Sequence, residues 1–389
     1  MIAEAHVIRK GAAAIALAAA AILSACAPGP PVGGGGAVTR GEAVPVALLV
    51  PGGSGEQGDT LLAENLENGA RLAAGDLSDA SVDLRVYETA GVADRAAAMA
   101  ERAVDDGARV ILGPVFAEGA EAAAEAVAPR GVTVLSFSND PTIAGGNLFI
   151  LGPTFRNTAD QLAAFMVRQG KARIMLVRDP NRAGRLGADA IRDAAAGRPV
   201  DVVAEADYEF SQEGVVDAAP RIAERAEEAG ADALFLTADS AGALPLLVQL
   251  LPENGLPPED IQYVGLTRWD IPASTLELSG VQGGWFALPD PSLTERFETR
   301  YAEAHGGAPH PIASLAYDGV AAIGALAAAG KGPSREALTQ PSGFAGVGGV
   351  FRLLTGGTNE RALAIAEIRD GEATVIAPAP RSFSGGTGF

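Results

Sequence analysis

Cysteine is almost missing from this chain: among 389 residues there is one, Cys26. A single thiol excludes an internal disulfide and a thiolate metal cage. Histidine is nearly as scarce, and none of the three lies in H-E-x-x-H. His6 precedes the fold, while His305 and His310 flank Gly306, Gly307 and Pro309, the composition of a helix-ending loop. No serine sits in the G-x-S-x-G arrangement of a nucleophile elbow. Hydrolytic and metal chemistry therefore find no support, and neither a metal nor a cofactor is expected. Basic charge is also in deficit, with 29 Lys and Arg against 48 Asp and Glu and a net charge of −19. That balance argues against nucleic acid or an anionic membrane surface as partner.

A long hydrophobic run is lacking too. The apolar stretch over 11–22 has twelve residues, short of the ~20 that span a bilayer. Arg9 and Lys10 precede it and Leu23-Ser24-Ala25-Cys26 follows. A positive start, a short apolar run and small residues read as a secretory signal over 1–25. The last four residues resemble a bacterial lipobox, which implies cleavage before Cys26 and lipid on its sulfur. Residues 26–45 are rich in Pro and Gly and read as a flexible tether reaching at most roughly 60 Å. By resemblance to enteric lipoproteins, Ala27 after the cysteine favours the outer membrane, with the protein in the periplasm.

What the chain has in quantity is alternation. Strands are expected over 46–50, 82–87, 109–112 and 132–135, with helices over 59–77, 93–106 and 118–128 between them. The pattern restarts with strands at 174–177, 200–204, 233–236 and 261–264 and helices at 186–196, 215–229 and 241–251. Serial β-α units of this kind build parallel, doubly wound sheets. Residues 285–288 read as a connector, and helices follow over 293–305 and 312–329. The close is different: strands over 349–353, 361–368 and 373–376, with Asp370-Gly371 as a hairpin turn. Residues 379–389 read as a disordered tail. Two α/β lobes place a ligand in the cleft between them, at the carboxyl ends of the strands.

The turn after the first strand poses one question. In VALLVPGGSGEQG, Gly53, Gly55 and Gly58 fit G-x-G-x-x-G, the form of a dinucleotide-binding turn. That site needs an acid about 20 residues on, but the acid ending the second strand, Glu88, comes 30 residues after Gly58. Pro51 also opens the turn, and an exported protein rarely holds NAD. The turn is read instead as one wall of the cleft, with Ser54, Gly55 and the amide of Gly53 as contacts.

Several stretches carry a family resemblance: VALLVPGGSGEQG leading into ENGARLAAGDL, DDGARVILGPVFAEGAEAAAEAV, APRGVTVLSFSND, KARIMLVRDPNRAGRLGADAIRDA, and SLAYDGVAAIGAL before the closing strands. In this order they resemble the type I periplasmic binding proteins, the leucine/isoleucine/valine-binding family. The resemblance implies two doubly wound parallel-sheet lobes, hinge crossovers and a C-terminal β-meander. The crossings are placed near 150, 287 and 346. That assigns 46–150 plus 288–345 to one lobe and 151–287 plus 346–378 to the other. A second group in the superfamily is also similar: lipoproteins that activate penicillin-binding proteins, the peptidoglycan synthases. Their DGA-x-x-x-x-GP segment matches Asp106–Pro114, and their close matches Arg361 leading into LAIAEIRDGEATVIAP. The resemblance thus implies a non-enzymatic protein whose partner is a peptidoglycan synthase or an ABC permease, with the activator reading favoured.

In the amino-acid binders, hydroxyls and amides after the third and fourth strands hold the ligand carboxylate, and an acid late in the second lobe holds the amine. The fourth-strand match supplies Ser136, Ser138 and Asn139. The third-strand match supplies Phe116, Ala117 and Glu118 in place of a serine/threonine cluster, and the late segment supplies Thr267, Arg268 and Trp269 in place of the acid. Glu88 and Asp239 are further cleft candidates. Arg178, Arg182, Arg185 and Arg268 lie near strand ends of the second lobe. Arginine forks suit carboxylate and phosphate, so an anionic or polar ligand is expected, with solvated surface arginines as the alternative. Trp269 and Trp285 stand open between cleft lining and hinge packing.

Overall fold

The computed structural model describes residues 41–383. The signal over 1–25, Cys26, the tether up to residue 40 and residues 384–389 lie outside the described residues.

β1 (Val44–Val50) is apolar in nearly every position because both of its faces are covered. Val46, Leu48 and Val50 pack on one side with Leu66 and Ala70. Ala47 and Leu49 pack on the other with Ala96, Ala100 and Ala120. Those partners sit on α1 (Gln57–Asp76), α2 (Ala93–Asp105) and α3 (Ala117–Val127). With β2 (Val82–Glu88), β3 (Val110–Leu112), β4 (Thr133–Ser136) and β5 (Leu148–Ile150), β1 forms a parallel sheet of order β2-β1-β3-β4-β5. Each large aliphatic side chain buried here stabilises by about 1.5–3 kcal/mol.

The second sheet repeats the plan. β6 (Arg173–Arg178), β7 (Asp201–Asp207), β8 (Ala233–Leu236) and β9 (Gln262–Gly265) run parallel, sandwiched between α4 (Phe155–Arg168) with α5 (Arg182–Ala196) and α6 (Gln212–Glu228) with α7 (Leu244–Glu253). β10 (Trp285–Leu288), expected as a connector, is a full strand of this sheet, parallel to β9. Four buried apolar residues in a row are too few for periodicity to mark as a strand. The region of β5 and α4 was also passed over. α4 starts at a capping box in which Thr154 and Asn157 satisfy each other's backbone N–H.

The closing strands separate into two groups. β11 (Phe344–Gly346), β12 (Gly349–Leu353) and β13 (Asn359–Arg361) form a small antiparallel sheet, and Phe344, Phe351 and Leu353 join the core of the first lobe. β14 (Ala364–Arg369) and β15 (Glu372–Ala377) extend the second sheet, giving β15-β14-β10-β9-β8-β6-β7. The run over 361–368 is therefore two strands, divided where the chain changes lobes. The third crossing falls at 362–363 rather than near 346, and the others fall at 151–154 and 289–290. α8 (Pro291–His305), α9 (Ala313–Ala328) and the short α10 (Arg335–Leu338) belong with the first lobe. The expected tail starts later than 379: Ala379 is buried in the second core, and Arg352 stacks on the ring of Phe383.

Candidate functional site

The carboxyl ends of the two parallel sheets face each other. Arg182, the first residue of α5 after β6, donates from Nη2 to Asp140 Oδ2 at 2.9 Å, and Asp140 follows β4 of the first lobe. This pair spans the cleft. At its base the crossovers are bound together. Asn359 Nδ2 donates to the carbonyls of Ile150 and Gly152, and Asn157 Nδ2 donates to Asn359 O. Arg361 donates to Leu151 O at 2.6 Å and to Asp318 Oδ2 at 2.9 Å. Asp318 and Arg361 are almost completely buried, so this is a paired charge inside the protein rather than a surface contact. Arg361 entered the sequence reading only as the start of a family-like close, and the other hinge groups did not stand out, because their partners lie far apart along the chain.

On the first-lobe wall the glycine turn is real. Gly53 and Gly55 both take φ +85°, a conformation side chains with a Cβ avoid. Ser54 Oγ accepts the N–H of Glu56, so it supports the start of α1. Gly55 faces open space. Glu88 folds back over the turn: a Cβ at Gly53 would stand 2.9 Å from Glu88 Oε2. A carboxylate there repels the phosphates that a dinucleotide turn must hold. Phe116, at the N-cap of α3, is 42% exposed and lies against Gly91.

The expected carboxylate-binding hydroxyls are internal. Ser136 is fully buried; its Oγ donates to Pro114 O at 2.9 Å and accepts the N–H of Ser138. Ser138 Oγ accepts the N–H of Asp140. These bonds lock the β3 and β4 loops together. Asn139 is the exposed member of the group.

The second-lobe wall corrects the sequence reading more sharply. Each arginine that pointed to an anionic ligand has a partner within the protein. Arg178 pairs with Asp207 at 2.6 Å and turns to the edge strand, where it lines a recess of about 170 Å³ with Glu205, Arg221 and Arg225. Arg182 holds Asp140, Arg185 donates to Pro180 O, and Arg268 forms a bidentate pair with Asp270. Trp269 is fully buried in the core of the second lobe, and a Cβ at Gly265 would collide with its ring at 2.3 Å. It lines neither cleft nor hinge. Trp285 is also interior: its Nε1 donates to Glu367, and its ring meets Phe165 edge-on.

Asp179, which the sequence reading passed over, ends β6 beside the cleft. It is 2% exposed. Its N–H donates to Thr237 Oγ1, Asn181 Nδ2 donates to its Oδ2, and its Oδ1 has no partner. Burial, together with the charge of Asp239 at the end of β8, pushes its carboxyl up to about 6. The clue in the sequence was slight: an acid immediately after a buried strand, in VRDPN.

The sequence model of a periplasmic binding protein family matches residues 43–373. The chain belongs to the periplasmic binding protein family. No curated protein matches it. Solved structures show the same type I fold at low identity. A candidate branched-chain amino acid ABC transporter protein of Rhodospirillum rubrum aligns with TM-score 0.71 and 21% identity, over 86% of this chain and 100% of that one. An ABC transporter substrate-binding protein of Desulfitobacterium hafniense in complex with Leu aligns with TM-score 0.60 and 18% identity, over 86% and 100%. A solute binding protein of an ABC transporter of Rhodopseudomonas palustris, in complex with 3,4-dihydroxybenzoic acid, gives TM-score 0.55 and 18% identity, over 87% and 96%. Membership places this periplasmic binding protein outside the cytoplasm. Among the described residues no helix is long and apolar enough to cross a membrane, and no group of three or more His, Cys, Asp or Glu is placed to hold a metal ion.

Proposed function

We propose that this periplasmic binding protein is the solute receptor of an ABC importer, non-enzymatic and held at the membrane by lipid on Cys26. The supporting observation is the cleft itself: two strand-end walls that meet across the Asp140–Arg182 pair, with the crossovers near 151–154 and 362–363 bonded to each other. That geometry suits hinge closure on a small ligand, whose bound form is favoured only by contacts made to both lobes. The ligand differs in its contacts from an α-amino acid held by hydroxyls of the first lobe, because Ser136 and Ser138 are already occupied.

The same occupied hydroxyls favour a second reading, in which the fold docks on a peptidoglycan synthase and activates it, as the lipoproteins sharing the Asp106–Pro114 segment do. A paired experiment separates the two. Thermal shift of the chain against amino acids, aromatic acids and amines is run beside recovery of membrane partners from cells. Stabilisation by a small solute with a permease recovered supports the receptor; recovery of a synthase with no stabilising solute supports the activator. The anchor, favoured in the outer membrane, has its own test. Cys26→Ser should move the protein from the membrane to the soluble fraction, and unchanged fractionation would refute lipidation.

A further inference from the structure

The end of the chain does more than close the second sheet. β15 is its edge strand and stops at Ala377, where Pro378 and Pro380 remove two backbone donors and hold the segment extended. Ala379 between them is 8% exposed and belongs to the core of the second lobe. Further along, the Phe383 ring lies 4.7 Å from the guanidinium carbon of Arg352. Arg352 stands on β12, whose Phe351 and Leu353 are in the core of the first lobe, and its Nε donates to Glu360 of β13, which orients the guanidinium. Between the two anchors, Arg381 comes close enough to the 289–290 crossover for its charge to act on Asp290. The carboxyl of Asp290 is held below the ordinary aspartate range first by the Ser292 hydroxyl and in part by Arg381. The Asp290 N–H in turn donates to Gly348 O at 2.8 Å, immediately before β12.

We propose that residues 378–383 form a strap between the lobes, a further connection beside the crossovers, which restrains hinge rotation until the Phe383–Arg352 stack lets go. The segment from Ala379 to Phe383 reaches at most about 14 Å. A rotation that parts its anchors further must carry Phe383 off β12. A cation–π contact at a half-exposed site is worth about two- to fivefold in an equilibrium, enough to bias the lobes and weak enough to release. The strap acts on the hinge whether the fold serves as a receptor or docks on a synthase.

The test is amide hydrogen exchange of the full chain, without any solute, compared with Phe383→Ala and Phe383→Trp. Phe383 lies beyond the last strand, so both variants keep the two cores. Removing the ring should speed exchange about two- to fivefold in the peptides that span 151–154, 289–290 and 362–363 as well as in β12, and leave β8 in the second core unchanged. Tryptophan, which offers a cation a better face, should keep the protection of the native chain. Faster exchange confined to β12, or no change anywhere, would show that Phe383 only covers Arg352 and that the strap does not restrain the hinge. Equal loss of protection in both variants would overturn it as well, since the stack would not be what holds the segment. Because no solute enters the measurement, its failure leaves the receptor reading untouched.

Discussion

The two walls of the cleft are built from the same kind of strand ends, yet they manage their polar groups in opposite ways. On the first lobe, Ser54, Ser136 and Ser138 spend their oxygens on nearby backbone. On the second, Asp179 is buried with an oxygen left over. The first wall is complete without a ligand, and its polar groups serve stability. The second wall retains an unsatisfied charge, and unsatisfied buried groups mark the places where a partner has most to contribute. Polarity alone therefore did not identify binding groups; what mattered was whether the fold had already used them.

The largest effect is expected where both walls depend on one joint. Arg361→Ala leaves Asp318 buried without its cation and should cost about 3–5 kcal/mol in urea unfolding; a loss below ~1 kcal/mol would mean the lobes are joined by other contacts. Next comes the satisfied wall. Ser136→Ala strips a partner from both Pro114 O and the Ser138 N–H and should cost about 1–3 kcal/mol, with the affinity of any identified solute little changed.

The unsatisfied wall should respond in the opposite sense. Asp179 holds its proton to about 6 in the folded chain, against about 3.9 for an unfolded aspartate. Between those values the folded state binds more protons, so stability falls as pH rises through that window and stays lower above it. Asp179→Asn should flatten this slope and raise stability at pH 7 by about 1–3 kcal/mol. Denaturant curves at pH 4, 5, 6 and 7 check it, and a destabilised variant would show that Asp179 is satisfied after all. The smallest effect belongs to the contact between the walls. Arg182 is largely exposed, so Arg182→Ala should cost no more than ~1 kcal/mol. Its signature is geometric: small-angle scattering of the ligand-free chain should shift towards a wider separation of the lobes, and an unchanged profile would show that the pair does not hold the cleft.

Much of the architecture was legible. The continuous apolar run of β1 and the small residues of its flanking helices announce a sheet covered on both faces. The site was less so. Ser136 and Ser138 were found at the cleft end of β4, as expected, but their hydroxyls turned out to be spent within four residues and on Pro114. The arginines were found at strand ends, but Asp207, Asp140 and Asp270 take them. Trp269 could be read as cleft or hinge because a tryptophan's burial depends on which glycines it can lie upon, and Gly265 and Gly284 make that surface. β10, β5 and α4 escaped because short buried segments leave no period to count.

By itself, then, the amino-acid order determined the alternation of strands and helices, the two cores, and the loops on which any site must stand, because these follow from local periodicity and from the burial of apolar side chains. Only the tertiary structure decided which charges remain open. Arg182 and Asp140 are 42 positions apart, Arg361 and Asp318 43, and Asp179 and Thr237 58. Pairing over such distances depends on how the sheets are wound and where the chain crosses between lobes, which no local pattern encodes. The same winding sent β11 to β13 to the first lobe and β14 and β15 to the second, and it paired each of the strand-end arginines while leaving one oxygen of the buried Asp179 without a partner.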